Sequence, residues 1–275
     1  MYLIDFNKPV HIHFIGIGGI SMSGLAELLI SKNFTVSGSD NKESVLTRQL
    51  AAAGCRIFIG QSADNIDSTI DAAVYTAAIH PDNPEYDRCI KLGIPMLTRA
   101  ELLGQVMTNY RTAIGVSGTH GKTTTTSMLS EILLLAGTDP TISVGGMLPS
   151  IGGNMRIGHS DMFLTEACEY TNSFLSFHPT MDIILNVEED HLDFFKDLDD
   201  IRASFKKYTG RAPIDFFINL KMQEACKLLK STDLYIVEIS QKLGYDDPYY
   251  FSRIFKKVIG VSPKEYRNGD YIQKQ

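Results

Sequence analysis

The sequence predicts two α/β domains, each built on a parallel sheet, followed by an all-α module. Three observations carry this. Strand-like apolar runs alternate with helical patterns through residues 11–187; glycine turns at Gly16–Gly19 and Gly118–Gly121 each join a strand to a helix; and helix, glycine turn, helix spacing takes over after Asp233. A length of 275 residues gives room for two or three such domains, and 44% apolar with 21% charged residues is ordinary for a globular chain.

No apolar run approaches the roughly 20 residues of a membrane span. The N-terminus also lacks the basic-then-apolar order of a signal peptide, so the chain is expected to be cytoplasmic. Cys55, Cys89, Cys168 and Cys226 are widely separated with no C-x-x-C pair, which predicts buried free thiols rather than zinc or disulfides. The charge is uneven: residues 209–275 hold 11 Lys/Arg against 8 Asp/Glu, and residues 1–208 hold 15 against 24. The two parts are expected to face different partners.

His11-Ile12-His13-Phe14-Ile15 reads as a buried strand, Met22 to Ile30 as a helix, and Phe34 to Asp40 as a second strand ending in an acid. A βαβ unit with a glycine turn and a carboxylate about 20 residues on is the Rossmann-like plan of a dinucleotide site. The last glycine of G-x-G-x-x-G is replaced by Ser21, however, which weakens the case for NAD. His11 and His13 lie on one face of the strand and read as strand-end or core histidines. Residues 56–60 and 72–76 give further strands, His80-Pro81-Asp82-Asn83-Pro84 opens a helix, and residues 99–103 form another. The polar link Thr108-Asn109-Tyr110-Arg111 marks the expected boundary between a domain at 1–107 and one at 108–205.

The second domain opens on Ile114-Gly115-Val116-Ser117-Gly118-Thr119-His120-Gly121-Lys122-Thr123-Thr124. Gly118 and Gly121 let successive N–H groups converge on an anion, and the helix beginning near Lys122 adds the positive end of its dipole. Lys122 suits the β/γ-phosphates and Thr123 suits Mg²⁺. The common P-loop spacing would need glycine at position 116, where Val116 stands, so the loop is the shorter G-x-x-G-K-T. A helix follows from Thr123 to Ala136. Strands at 162–165 and 181–187 then end on Glu166-Ala167-Cys168-Glu169 and Glu188-Glu189-Asp190-His191, acids placed where ligands of open α/β sheets bind.

In residues 206–275 a helix over 234–243 ends at Gly244, Asp246 and Asp247 cap a second helix with Pro248 in its first turn, and Ser262-Pro263-Lys264-Glu265 is a capping box for a third. Phe251, Ile254, Phe255 and Val258 give the second helix its apolar face. Tyr249, Ser252, Arg253, Lys256 and Lys257 lie opposite, side chains suited to base edges and phosphates. An internal echo stands at an offset of 50: Phe205-Lys206-Lys207-Tyr208-Thr209-Gly210-Arg211-Ala212-Pro213 matches Phe255-Lys256-Lys257-Val258-Ile259-Gly260-Val261-Ser262-Pro263.

Four motifs in order, His13-Phe14-Ile15-Gly16-Ile17-Gly18-Gly19, Gly118 to Thr126, Glu166-Ala167-x-Glu169, and Asn186-Val187-Glu188-x-Asp190-His191-x-Asp193, resemble the Mur ligase family in its muramate–alanine branch, up to about Ser204. The resemblance implies ATP-dependent ligation of L-alanine to UDP-N-acetylmuramate through an acyl phosphate. It puts a UDP-sugar site at Gly18, Gly19, Ser39, Asp40 and Thr76, and ATP at Gly118, Thr119, His120, Gly121, Lys122, Thr123 and Thr124. By the same resemblance Lys122, Glu166 and His191 are the catalytic set, with Mg²⁺ held by Thr123, Glu166 and His191. It further implies that the central domain is truncated, that the closing domain is absent, and that activity is doubtful. Residues 239–267, with Ile239-x-x-x-Leu243-Gly244-Tyr245 and Tyr250-Phe251-Ser252-Arg253-x-Phe255-Lys256-Lys257, resemble the AraC-type DNA-binding family in its second helix-turn-helix, which implies DNA as a partner. The echo then looks like the tail of a first helix-turn-helix unit, with residues 213–230 as the joining helix and the two families meeting between 205 and 210. An AraC-type regulator that senses a UDP-muramyl precursor is the alternative.

Overall fold

The computed structural model describes the backbone of residues 2–210 and 213–269, and the side chains of all of these except 213–217 and 220. Arg211 and Ala212 of the echo lie outside the described residues. The chain divides into two compact units, Met1–Ile201 and Arg202–Gln275. Both sheets fall in the first, so residue 107 separates two sheets but not two units. The second unit begins slightly before the expected residue 206. No helix among the described residues is long and apolar enough to cross a membrane.

The first sheet has strands β1 (His11–Ile15), β2 (Thr35–Asp40), β3 (Arg56–Ile59), β4 (Ala72–Tyr75) and β5 (Met96–Thr98) in the order β3-β2-β1-β4-β5, all parallel. Its helices are α1 (Ile20–Ser31), α2 (Val45–Ala52), α3 (Pro84–Leu92) and α4 (Arg99–Met107). Ile12, Phe14 and Ile15 are all fully buried, so both faces of β1 are covered, as in a parallel sheet with helices on each side. The chain works outward from β1 to one edge, then returns to β4 on its other side. That reversal opens a crevice beyond the carboxyl ends of β1 and β4.

The second sheet has β6 (Thr112–Ser117), β7 (Thr141–Leu148), β8 (Gly153–Arg156), β9 (Met162–Glu166) and β10 (Met181–Ile184) in the order β10-β6-β9-β7-β8, with α5 (Lys122–Leu135) after β6. The three strands whose ends carry the glycine loop and the acids are therefore neighbours, with β6 between β10 and β9. Two features differ from expectation. An antiparallel β7–β8 pair fills the stretch after α5, joined by a 3-10 turn at Pro149–Ile151. β10 also stops at Ile184: the Leu185 N–H still donates to the Ser117 carbonyl at the end of β6 at 3.0 Å, and the Asn186 carbonyl then accepts from the Thr119 N–H of the glycine loop at 3.3 Å.

In the second unit α6 (Leu198–Thr209), which starts just inside the first, is followed by α7 (Pro213–Ser231), α8 (Ile236–Lys242), α9 (Pro248–Ile259) and α10 (Pro263–Asn268). Met222, Ala225, Leu229, Ile239, Phe251 and Phe255 form its core. The Asp247 carboxylate caps α9 by accepting from the Tyr249 N–H at 2.8 Å, and Ser262 with Glu265 makes a capping box for α10. Arg267 donates to the Leu234 carbonyl at 2.7 Å, tying α10 to the link between α7 and α8. The echo is structural as well. α6 and α9 both end on a left-handed glycine, Gly210 at φ 70° and Gly260 at φ 93°, with proline opening the next helix.

Helix α4 lies against residues 170–176 so closely that a Cβ at Gly104 would stand 1.8 Å from the Ser176 carbonyl oxygen. Gly104→Ala is therefore expected to destabilise the first unit by at least the ~1–3 kcal/mol of ordinary overpacking. The check is a lowered urea midpoint with little change in slope.

Candidate nucleotide sites and helix-turn-helix face

The crevice of the first sheet has a volume of about 610 Å³ and is lined by Gly16, Gly18, Gly19, Asp40, Gln61 and Thr76, with Asn41, His80 and Asn83 around them. Asp40 does not point a free carboxylate at a ribose. Its Oδ2 accepts from the Gly18 N–H at 2.8 Å, so it holds the glycine turn in shape. Of the expected UDP-sugar residues, Gly18, Gly19, Asp40 and Thr76 reach the cleft, and Ser39 does not. The Ser39 side chain is fully buried and donates to Glu85 Oε2 at 2.5 Å, while its carbonyl accepts from the N–H groups of Gly16 and Ile17 at 2.9 Å each. Gln61 and Asn83 carry no motif that would announce them. Their side chains are joined by a hydrogen bond of 2.5 Å from Asn83 Nδ2 to Gln61 Oε1.

Behind the turn lies a buried polar chain. His11 and His13 both bond the Ser37 hydroxyl, at 2.8 and 2.9 Å, and His13 Nε2 stands 3.8 Å from Glu85 Oε2, beyond hydrogen-bond length. Asn65 donates to Glu85 Oε1 at 2.5 Å. Burial pushes the Glu85 carboxyl up, but His13, Ser39 and Asn65 outweigh it and hold the group below its ordinary 4.5. His11 is thus a half-buried strand-end histidine and His13 a core one, each bonded to Ser37.

At the second sheet Gly118 (φ 134°) and Gly121 (φ 84°) make the turn between β6 and α5. The segment after β10 clamps it. Asn186 accepts from the His120 N–H at 2.9 Å and donates to the His120 carbonyl at 3.1 Å. The Thr119 hydroxyl accepts from the Glu188 N–H at 2.9 Å. The His120 ring is largely exposed, 4.0 Å from Asp190. Lys122 Nζ folds back on the Gly118 carbonyl at 2.6 Å and on both oxygens of Glu169 at 3.0 and 2.9 Å. The Thr123 hydroxyl donates to Glu166 Oε2 at 3.0 Å, and Glu166 Oε1 accepts from the Gly145 N–H at 2.6 Å. A Cβ at Gly145 would come 2.7 Å from that carboxylate, which explains the glycine in β7. Thr124, in the first turn of α5, is exposed.

Thr123 and Glu166 thus meet, whereas His191 lies beside a different acid, with Nε2 3.7 Å from Glu169 Oε1. His191 takes a left-handed backbone (φ 51°) and its ring stacks on Tyr170 at 4.6 Å. Strain of this kind concentrates at functional sites. Among the described residues no group of three or more His, Cys, Asp or Glu side chains is set to hold a metal. A hydroxyl and a carboxylate oxygen in contact nevertheless fit Mg²⁺, which takes one or two carboxylates and completes its shell with water and phosphate oxygens. Glu169 is the residue that motif reading left without a role.

On α9, Tyr249, Arg253, Lys256 and Lys257 are exposed on the side away from Phe251 and Phe255. Arg253 stands 5.7 Å over the Tyr250 ring. Ser252 is half-buried and its hydroxyl donates to the Pro248 carbonyl at 2.8 Å.

Fold and geometry define an α/β protein built on two sheets that also carries a helix-turn-helix domain. A profile of the Mur ligase family, catalytic domain, matches residues 11–111, and a helix-turn-helix domain profile matches residues 199–269. The chain is 63% identical over 239 residues to a UDP-N-acetylmuramate–L-alanine ligase from Lachnospira eligens, which covers 86% of this chain and 52% of that protein. It is 32% identical to the crystal structure of a UDP-N-acetylmuramate:L-alanyl-γ-D-glutamyl-meso-diaminopimelate ligase from Neisseria meningitides, with 75% of this chain and 69% of that one covered at a TM-score of 0.66. A third similarity, 38% identical, is to the C-terminal domain of a response regulator from Geobacillus stearothermophilus, with 26% of this chain and 60% of that one covered at a TM-score of 0.25. The chain belongs to the Mur ligase family and carries a helix-turn-helix domain in its C-terminal part. It spans about half the length of the curated relatives it matches.

Because the folded Glu85 carboxyl titrates below its ordinary 4.5, the unfolded chain binds more protons in that window. Its contribution is full above the ordinary value and lost as pH falls through the folded one. Urea melts of the wild type and Glu85→Gln should differ most above about pH 5 and converge as the pH is lowered.

Proposed function

We propose that the first unit binds UDP-N-acetylmuramate in the crevice of the first sheet and ATP with Mg²⁺ at the loop of the second. The observation that carries this is the Gly118–Thr123 loop at the end of β6, between β10 and β9, with Lys122 and Thr123 already paired to carboxylates on the adjacent β9 side. In this reading the loop N–H groups and Lys122 hold the phosphates, and Thr123 with Glu166 offers oxygens to Mg²⁺. His191, beside Glu169, contributes to the cation side of the site. Mg²⁺ supplies charge neutralisation for transfer of the γ-phosphoryl group to the muramate carboxylate, which L-alanine then attacks. The resemblance puts the adenine and amino-acid contacts in the part of the curated relatives that this chain does not span. Ligation by these 275 residues alone is therefore expected to be absent or very weak, since lost positioning removes many powers of ten in rate.

Calorimetry tests both sites. UDP-N-acetylmuramate should bind more tightly than NAD, because Ser21 breaks the dinucleotide fingerprint and Asp40 is engaged by Gly18. Lys122→Ala should weaken ATP about 10–100-fold, the worth of ~1.5–3 kcal/mol for charge-assisted hydrogen bonds. Tighter NAD binding, or ATP affinity indifferent to Lys122, would contradict the reading.

A second activity, DNA binding by α8 and α9, is supported by the exposed Tyr249, Arg253, Lys256 and Lys257 on a unit with its own core. An excess of only three positive charges in residues 209–275, against the acidic remainder, favours weak and salt-dependent binding. Lys256→Ala or Lys257→Ala should weaken all duplexes alike and lower the salt slope by about 1, whereas Arg253→Ala should cost ~1–3 kcal/mol only at preferred sequences. Titration of labelled duplexes at two salt concentrations measures this. Nanomolar, sequence-selective binding that changes with UDP-N-acetylmuramate would instead favour a precursor-sensing regulator.

A further inference from the structure

Lys122 has no proton to spare for a ligand. An ammonium has three N–H donors, and four oxygens surround this one: the carbonyls of Gly118 at 2.6 Å and Thr119 at 3.1 Å, and Glu169 Oε1 and Oε2 at 3.0 and 2.9 Å. The pair is sheltered, with the Lys122 side chain 14% and the Glu169 side chain 2% exposed. Glu169 is flanked by two strained stretches, Thr171–Asn172 (φ 54° and 59°) and His191 (φ 51°). Its other neighbour is His191, whose Nε2 is 3.7 Å from Oε1. Glu166 cannot stand in for it, being engaged by Thr123 and the Gly145 N–H.

A phosphate that draws Lys122 away therefore leaves a carboxylate in a nearly dry place without its counter-ion. Such a group is costly unless another cation replaces the lost one.

We propose that Glu169 is a positioning residue that parks Lys122 while the site is empty and exchanges it for a divalent cation when the triphosphate arrives, so that nucleotide and cation bind as one. This rests on reading the Gly118–Thr123 loop as a nucleotide phosphate site. It differs from simple chelation of the cation by the triphosphate, because the penalty for nucleotide without cation resides in a protein carboxylate and vanishes when that charge is removed.

The test is equilibrium binding of ATP to the full chain, by calorimetry, with EDTA and with Mg²⁺. The wild type should bind ATP much more weakly in EDTA. Glu169→Gln should bind metal-free ATP at least about tenfold more tightly than the wild type and gain little from Mg²⁺, since no buried charge is stranded. Glu169→Asp keeps the charge and should keep the wild-type preference for the cation, which gives a reading even if Glu169→Gln does not fold. Lys122→Met should lower the melting temperature of the ligand-free chain, and adding Glu169→Gln to it should restore much of the loss. If Glu169 merely supported the fold, Glu169→Gln would weaken binding equally with and without Mg²⁺. That outcome overturns the proposal, as does loss of cation preference in Glu169→Asp. A wild type that binds ATP under neither condition overturns the nucleotide reading itself.

Discussion

A phosphate loop is a ring of backbone donors around an empty space, and those donors must be held apart before any anion arrives. Here the holding is done by the chain that leaves β10. Asn186 grips His120 from both sides, and Glu188 exchanges hydrogen bonds with the Thr119 hydroxyl. That grip requires β10 to lie beside β6, and it accounts for the end of the strand near Ile184, since Asn186 has turned to the loop. Strand order in the second sheet and the shape of the loop are two sides of one constraint.

The first sheet solves a similar problem with a carboxylate. Asp40 holds the glycine turn by its Gly18 N–H, and behind it Glu85 gathers Ser39 and Asn65, with His13 close by. A buried acid is stable only when its oxygens are hydrogen-bonded, and each Glu85 oxygen accepts one bond of 2.5 Å, from Ser39 and from Asn65. Acids therefore do different work at the two strand ends. In the first sheet they shape the backbone, and in the second they face Lys122 and Thr123.

Much of this was legible in the sequence, because glycine turns, capping residues and apolar spacing are local. The βαβ opening, the Gly118–Lys122 loop, the Asp247 and Ser262 caps and the core face of α9 all stand where residue patterns place them. What was not legible depends on distant partners. Ser39 sits beside the cleft in sequence, yet its hydroxyl turns inward to a carboxylate 46 residues away. Glu169 follows Glu166 by one short link, but its value comes from Lys122, 47 residues earlier. The β7–β8 pair lies in a stretch for which no motif was read, and its Gly145, a weak strand former, serves the approach of Glu166.

Helix α6 falls where the two likenesses overlap. The helix-turn-helix profile begins at residue 199, and an alignment covering 76% of the chain to a ligase of Agathobacter rectalis has to reach beyond residue 200 wherever it starts. Both likenesses therefore claim α6. Its pattern suits either likeness: Ile201 and Phe205 are buried at helical spacing, Lys206 and Lys207 are exposed, and a left-handed Gly210 ends the helix before proline opens the next. α9, Gly260 and Pro263 repeat that arrangement in the second unit. A short amphipathic helix closed by Gly-x-x-Pro can carry both likenesses, because its glycine end and apolar stripe are set within a dozen residues.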